Sequence, residues 1–169
     1  MANDRESEYG TQIKVERMKR AQAKLVRRLM HEVISHLSYY NLRARREELA
    51  KYTAKELLLM RDEDKDSVIV AHCGGLLVGF CISRYDDGII WLSWFGVRQE
   101  WRGKGVGSAL IAGLEATVLR RKCHKIWCDT RTSNKASVKV LKNSGFERIC
   151  KLEKHWYGQD FYLWQKYIR

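Results

Sequence analysis

Between Gly96 and Ile111 the sequence reads GVRQEWRGKGVGSALI, with glycines at 96, 103, 105 and 107 and cations at Arg98, Arg102 and Lys104. The residues that follow repeat apolar side chains every four positions, at Val106, Leu110, Leu114 and Val118, which predicts a helix over about 105–120. Glycine accepts positive φ at little cost and lets another group approach the backbone closely. The first N–H groups of a helix have no intrahelical acceptor, and the helix dipole favours an anion in front of them. Arg102 and Lys104 add matching charge, the arginine with bidentate geometry. Together these features point to a diphosphate seat.

Two phosphate loops are excluded by spacing. A Walker loop needs GxxxxGK followed by Ser or Thr, and GKGVGSAL does not supply it. A dinucleotide fingerprint beginning at Gly105 needs glycine at position 110, which is Leu110; one beginning at Gly103 needs it at 108, which is Ser108. What fits is Arg102-x-x-Gly105-x-Gly107 behind an apolar strand.

The elements around this loop follow from periodicity. Residues 10–16 alternate as a first strand, and 18–38 is an amphipathic helix with Leu25, Leu29, Val33 and Leu37 on its apolar stripe, widened by Val26, Met30 and Ile34. Its other face carries Lys19, Arg20, Lys24, Arg27 and Arg28. A second helical piece is predicted over 43–60. SVIVAH, LLVGFCISRY and IIWLSWFGV are strands joined by the tight turns CGG and DDG, an antiparallel meander whose apolar content calls for cover on both faces. HKIWCDT is a strand near 124–130. SNKASVKVLKNSG is a short helix, with Ser133 or Asn134 as its cap and Gly145 at its end. FERICKLEK and FYLWQKYI close the chain as two strands joined by HWYGQD. The order β-α-α-β-β-β-α-β-α-β-β gives an α/β fold, a mixed and mostly antiparallel sheet with one parallel crossover. Residues 1–9 are expected to be a flexible N-terminus and 10–169 a single domain.

Composition narrows the class. The 169 residues are 45% hydrophobic, with a net charge of +12. No run of about twenty apolar residues predicts a membrane span, and no secretory signal is seen, so the expected location is cytoplasmic. The five cysteines, Cys73, Cys81, Cys123, Cys128 and Cys150, include no CxxC pair, so neither a disulfide framework nor a metal site is expected. His31 and His36 lie five apart and are not read as metal ligands. The charge is compatible with nucleic acid or with a polyanionic cofactor, but no finger, basic zipper or RNP-like strand is present.

The loop and the later SNKAS…NSGF block resemble the GCN5-related N-acetyltransferase (GNAT) family, whose RxxGxG signature binds the pyrophosphate of acetyl-coenzyme A. The motifs span about 90–146, and the element order extends the resemblance along nearly the whole chain. The resemblance implies a GNAT fold, in which the strand before the loop bulges and splays from the next parallel strand. It places pantetheine along the backbone of Phe95, Gly96 and Val97, with the Val97 N–H polarising the acetyl carbonyl. Pyrophosphate is expected at the N–H groups of Arg102, Gly103, Lys104, Gly105, Val106, Gly107 and Ser108, and Asn134 faces the pantetheine arm.

The implied reaction is direct acetyl transfer to an amine, with no cysteine nucleophile. CDTRTSN resembles the LEVRxSN block of ribosomal-protein alanine N-acetyltransferases, which makes Asp129 the expected base, reaching through water, and gives Arg131 an ordering role. The family's usual acid, a tyrosine seven residues after the asparagine, is replaced by Leu141. Tyr157 in HWYGQD is the expected substitute, with Ser137 second, and His155 is a further candidate to line the site. KHWYGQDFYLW, with Asp160, resembles the tyrosine-rich closing region of N-terminal acetyltransferases. The expected acceptor is a protein or peptide amine. A polyamine or other small amine, with Asp86, Asp87, Glu47 or Glu48 as attractors, stays open. So does a non-catalytic coenzyme-A-binding regulator or nucleic-acid-associated module. The expected assembly is a monomer or homodimer.

Overall fold

The computed structural model describes residues 12–168; the proposed flexible segment 1–9 and the start of the first strand lie outside the described residues. Among the described residues, seven strands form one sheet in the order β1-β2-β3-β4-β5-β7-β6. They are β1 (Ile13–Arg17), β2 (Val68–Cys73), β3 (Leu76–Asp86), β4 (Ile89–Val97), β5 (Lys125–Arg131), β6 (Glu147–Leu152) and β7 (Phe161–Tyr167). Of these strands β4 and β5 run parallel, and the other neighbouring pairs are antiparallel. The CGG turn holds Gly74 and Gly75 at φ 56° and 81°, and DDG holds Asp87 and Gly88 at 46° and 83°. Two consecutive positive φ values match the right-handed twist of a two-residue hairpin.

The inner strands are buried on both sides, as their near-continuous apolar runs require. Ile69 and Ala71 of β2 face one core with Val106, Leu110, Ile111, Leu114 and Val118 of α4 (Val106–Arg120). Val68 and Val70 face a second core with Val26, Leu29, Met30, Val33 and Ile34 of α1 (Ala23–Ser35). Leu25, assigned to the α1 stripe on spacing, is instead 49% exposed, because the buried arc is centred on Met30 and Val33. The short helix α5 (Lys135–Asn143) joins the α4 layer through Leu141 and Val140. No helix among the described residues is long and apolar enough to cross a membrane.

The predicted helix over 43–60 is two helices, α2 (Leu42–Lys51) and α3 (Ala54–Glu63). Thr53 breaks the run: its backbone is extended and its hydroxyl accepts the Glu56 N–H at 3.2 Å. That is an N-cap in a T-x-x-E pattern, and it turns the chain despite continuing apolar spacing.

Candidate active site

The parallel pair is brief. β4 and β5 pair from Ile89–Lys125 to Leu92–Cys128 and share no pair beyond that point. At the same place the β3–β4 register slips, with Ile82 opposite Trp94 and Ser83 opposite Leu92, so Ser93 is an extra residue. Such a bulge bends its strand and increases its twist, and this one opens the sheet between 93–97 and 129–131. Gly96 is required here for packing: a Cβ would lie 2.6 Å from the Phe80 ring.

The end of β4 leads into the glycine loop. Gly105 is the N-cap of α4 in the left-handed region, at φ 82°, and Gly103 has φ 74°. The first helical bond runs from the Ala109 N–H to the Gly105 carbonyl at 2.9 Å. The N–H groups of Val106, Gly107 and Ser108 therefore precede the ladder and face out of the helix mouth. Arg102, Gly103, Lys104 and Gly105 are exposed around it. Arg102 folds its Nε onto the Val97 carbonyl at 3.2 Å, tying the mouth to the strand end, and Lys104 lies 5.0 Å above the Trp101 ring. Gly107 has a different role. Its Cβ would meet Val140 at 3.3 Å, so it seats α5 against the start of α4.

The split between β4 and β5 continues into a cleft of about 380 Å3. Ser93, Phe95 and Asp129 line it from the strands, Asn134 and Ser137 from α5, and Tyr157 from the β6–β7 connection. Asp129 is half-buried, and the Trp156 indole donates to its Oδ2 at 2.9 Å. Burial pushes the carboxyl above its usual range, while the Trp156 hydrogen bond and the nearby His155 and Arg131 pull the other way. Tyr157 adopts φ 57°, an uncommon conformation for a side chain of its size. Its hydroxyl points at Glu48 Oε1, 3.5 Å away on α2, and burial raises its pKa, keeping it protonated.

Asn134 and Ser137 lock one another. Ser137 donates its N–H to Asn134 Oδ1 at 3.1 Å, and Asn134 donates Nδ2–H to Ser137 Oγ at 2.8 Å. Asn134 is therefore the helix cap, with the Ser137 hydroxyl proton left to donate elsewhere. Arg131, expected in an ordering role, lies between the segment after α1 and the closing loop. Its guanidinium lies 3.6 Å from the Tyr40 ring centre, and its Nε donates to Gln159 Oε1 at 2.7 Å. Gln159 in turn donates to the Tyr39 carbonyl at 2.9 Å, joining the closing loop to the segment between α1 and α2.

Leu141 and Asp160 fall outside this arrangement. Leu141 is fully buried in the core. Asp160 serves its own loop, accepting the Lys154 N–H at 3.0 Å and pairing with Lys151. Cys128 is buried, and burial raises its thiol pKa well above the ordinary range, against thiolate formation. Trp156 and Trp94 were missed by sequence reading. Their indole donors reach Asp129 and Glu48 only through the folded sheet.

Residues 24–146 match the Acetyltransferase (GNAT) family. An acetyltransferase of Pectobacterium atrosepticum is 31% identical over 88 residues, covering 52% of this chain and 62% of that one, so the chain spans about three-fifths of this relative's length. The PaiA N-acetyltransferase of Thermoplasma acidophilum, solved in complex with coenzyme A, superposes with a TM-score of 0.77 at 14% identity, covering 92% of this chain and 99% of that one. The ribosomal-protein-S18-alanine N-acetyltransferase of Escherichia coli superposes with a TM-score of 0.69 at 13% identity, covering 93% and 94%.

Proposed function

The chain belongs to the acetyltransferase (GNAT) family, and from that membership we propose that it moves an acetyl group from acetyl-CoA to a primary amine of a protein or peptide by direct transfer. The observation that carries this reading is the junction at Leu92. There the parallel strands part, the edge of 93–97 runs into a helix mouth with no side-chain cap, and a cleft holding Asp129 begins at the same split. A narrow, extended thioester arm fits the split, and its pyrophosphate fits the mouth formed by Arg102 to Ser108. Acetyl-CoA, when bound, supplies the acetyl thioester.

The protein's own groups do the rest. The N–H groups at the α4 mouth and the Arg102 and Lys104 charges hold the donor. The backbone of Phe95 to Val97 aligns it, with the Val97 N–H placed to polarise the acetyl carbonyl. Asp129, with its affinity for protons raised, takes the amine proton through water. Tyr157 returns a proton to the departing thiolate. Ser137 competes for that last role because its hydroxyl proton is uncommitted and it shares a wall of the cleft with Asn134.

The tyrosine- and tryptophan-rich cleft suits a peptide backbone better than a freely solvated small molecule, and the fold is shared with an enzyme named for a protein amine. A reducing, cytoplasmic setting belongs to the same proposal, in keeping with the buried thiols of Cys81, Cys123 and Cys128 and the exposed Cys150. The test is thiol release from acetyl-CoA with peptides beginning in Ser, Ala, Met or Gly, run beside polyamines. Release with a peptide supports the reading, and release with polyamines alone replaces it with a small-amine enzyme. No release across the panel, together with salt-sensitive duplex binding, assigns a non-catalytic role.

A further inference from the structure

Glu48 stands on the α2 wall of the cleft, facing the split strands. Its side chain is only 12% exposed. The Trp94 indole donates to Oε2 at 3.0 Å, and the Tyr157 hydroxyl approaches Oε1 at 3.5 Å. These two neutral donors come from β4 and from the β6–β7 loop, so the carboxylate is held from two elements besides its own. Its single cationic partner among the described residues is Lys51, one turn along α2, with Nζ 3.0 Å from Oε1 and the side chain 58% exposed.

The two halves of this ion pair are therefore unequal. The carboxylate is fixed and largely desolvated, whereas the ammonium is long, solvated and free to swing away. Lys51 is the exposed, flexible half of the pair, so an incoming cation that takes its place keeps the Glu48 carboxylate compensated.

The remaining charges of the cleft are committed. Arg131 is stacked on Tyr40 and bonded to Gln159. Arg84 lies 5.9 Å above the Trp91 ring. Asp129 is held by Trp156 at the other side of the cleft. Once Lys51 leaves, Glu48 is a buried carboxylate without a countercharge, facing a cavity walled by Tyr40, Tyr52 and Trp94. Such a seat favours an ammonium or guanidinium, which gains both the charge and the aromatic faces.

We infer that Glu48 selects an acceptor carrying a second positive charge, which displaces Lys51 while the reacting amine sits at Asp129. The acceptor class is a dication: a peptide with a lysine or arginine beside its reacting amine, or a diamine. The inference rests on the acetyl-transfer reading for the placement of the reacting amine, but the charge preference is measurable without turnover.

The binding experiment uses 1,5-diaminopentane and pentylamine as probes, titrated calorimetrically into the protein with coenzyme A present. The diamine is expected to bind at least roughly tenfold tighter, the scale of one hydrogen bond to a charged group. Glu48→Gln, nearly the same in shape, is expected to abolish the difference, and Lys51→Met to tighten diamine binding. The kinetic companion compares kcat/KM for two peptides that differ only in lysine or norleucine at the second position. Equal binding of the two probes to the unaltered protein overturns the inference, as does a preference that survives in Glu48→Gln. Turnover without lysine preference overturns it while sparing acetyl transfer. Tight diamine binding with no thiol release from any peptide or polyamine supports the Glu48 seat while removing the acetyl-transfer reading.

Discussion

The Trp156 indole donates to Asp129 Oδ2 at 2.9 Å, joining the β6–β7 loop to the end of β5. This bond opposes the effect of burial on the carboxyl, which still lies above its ordinary value of 3.8. An Asp129 base is active when deprotonated, so the rate should fall as pH drops through its raised pKa. Trp156→Phe removes the opposing bond and should move the acid limb of kcat/KM to higher pH. Asp129→Asn should lower kcat by roughly a hundredfold with little change in KM for acetyl-CoA. An unmoved limb in Trp156→Phe would separate Asp129 from the proton transfer.

At the other end of the site, Gly105 holds φ 82° at the mouth of α4. A Cβ there would have only Ile13 nearby, at 3.9 Å, so space inside the protein is not the constraint. Valine would strain the left-handed backbone by about 1–2 kcal/mol and crowd the approach to the N–H groups. Gly105→Val should raise KM for acetyl-CoA roughly tenfold, and steady-state kinetics with varied acetyl-CoA checks it.

Leu141 occupies the position where the family resemblance expects tyrosine, but it is fully buried on the inner face of α5. Tyr157→Phe and Ser137→Ala should distinguish the two remaining proton donors through kcat at saturating substrate. Leu141→Tyr should not raise activity; it should lower stability by about 1–3 kcal/mol, seen as a reduced midpoint in urea.

Asp66 anchors the opposite end of the molecule. Arg17 reaches it at 2.9 and 3.0 Å and Arg120 at 2.6 Å, tying β1 and α4 to the entry of β2. Although burial acts against it, the two guanidinium groups lower its pKa from 3.8 to about 2. A lowered carboxyl pKa stabilises the fold above the unfolded value. That contribution should be complete above about pH 4 and be lost as pH falls towards 2. Asp66→Asn should flatten this part of the acid-unfolding curve.

The parts that were legible in the sequence are those where local chemistry leaves little choice. Glycine at 103 and 105 meets positive φ, Asn134 caps α5, and the apolar meander demands two covering layers. The break between α2 and α3 was also written locally, in Thr53 and Glu56, but apolar spacing running through it masked the signal. Contacts across the cleft were not legible. Trp156 and Asp129 are 27 residues apart, and Tyr157 and Glu48 are 109 apart. Both contacts depend on a loop with left-handed residues at Lys154, Tyr157 and Gly158. Glu48 could be suspected from its charge alone. Only the folded β4 strand and that loop bring Trp94 and Tyr157 to its carboxylate.

The most direct measurement is mass spectrometry of peptides incubated with the protein and acetyl-CoA. Acetyl transfer to a peptide amine predicts a product heavier by one acetyl group, formed in step with released thiol and suppressed in Asp129→Asn. Thiol release with no acetylated peptide, or peptide acetylation unchanged in Asp129→Asn, would contradict it.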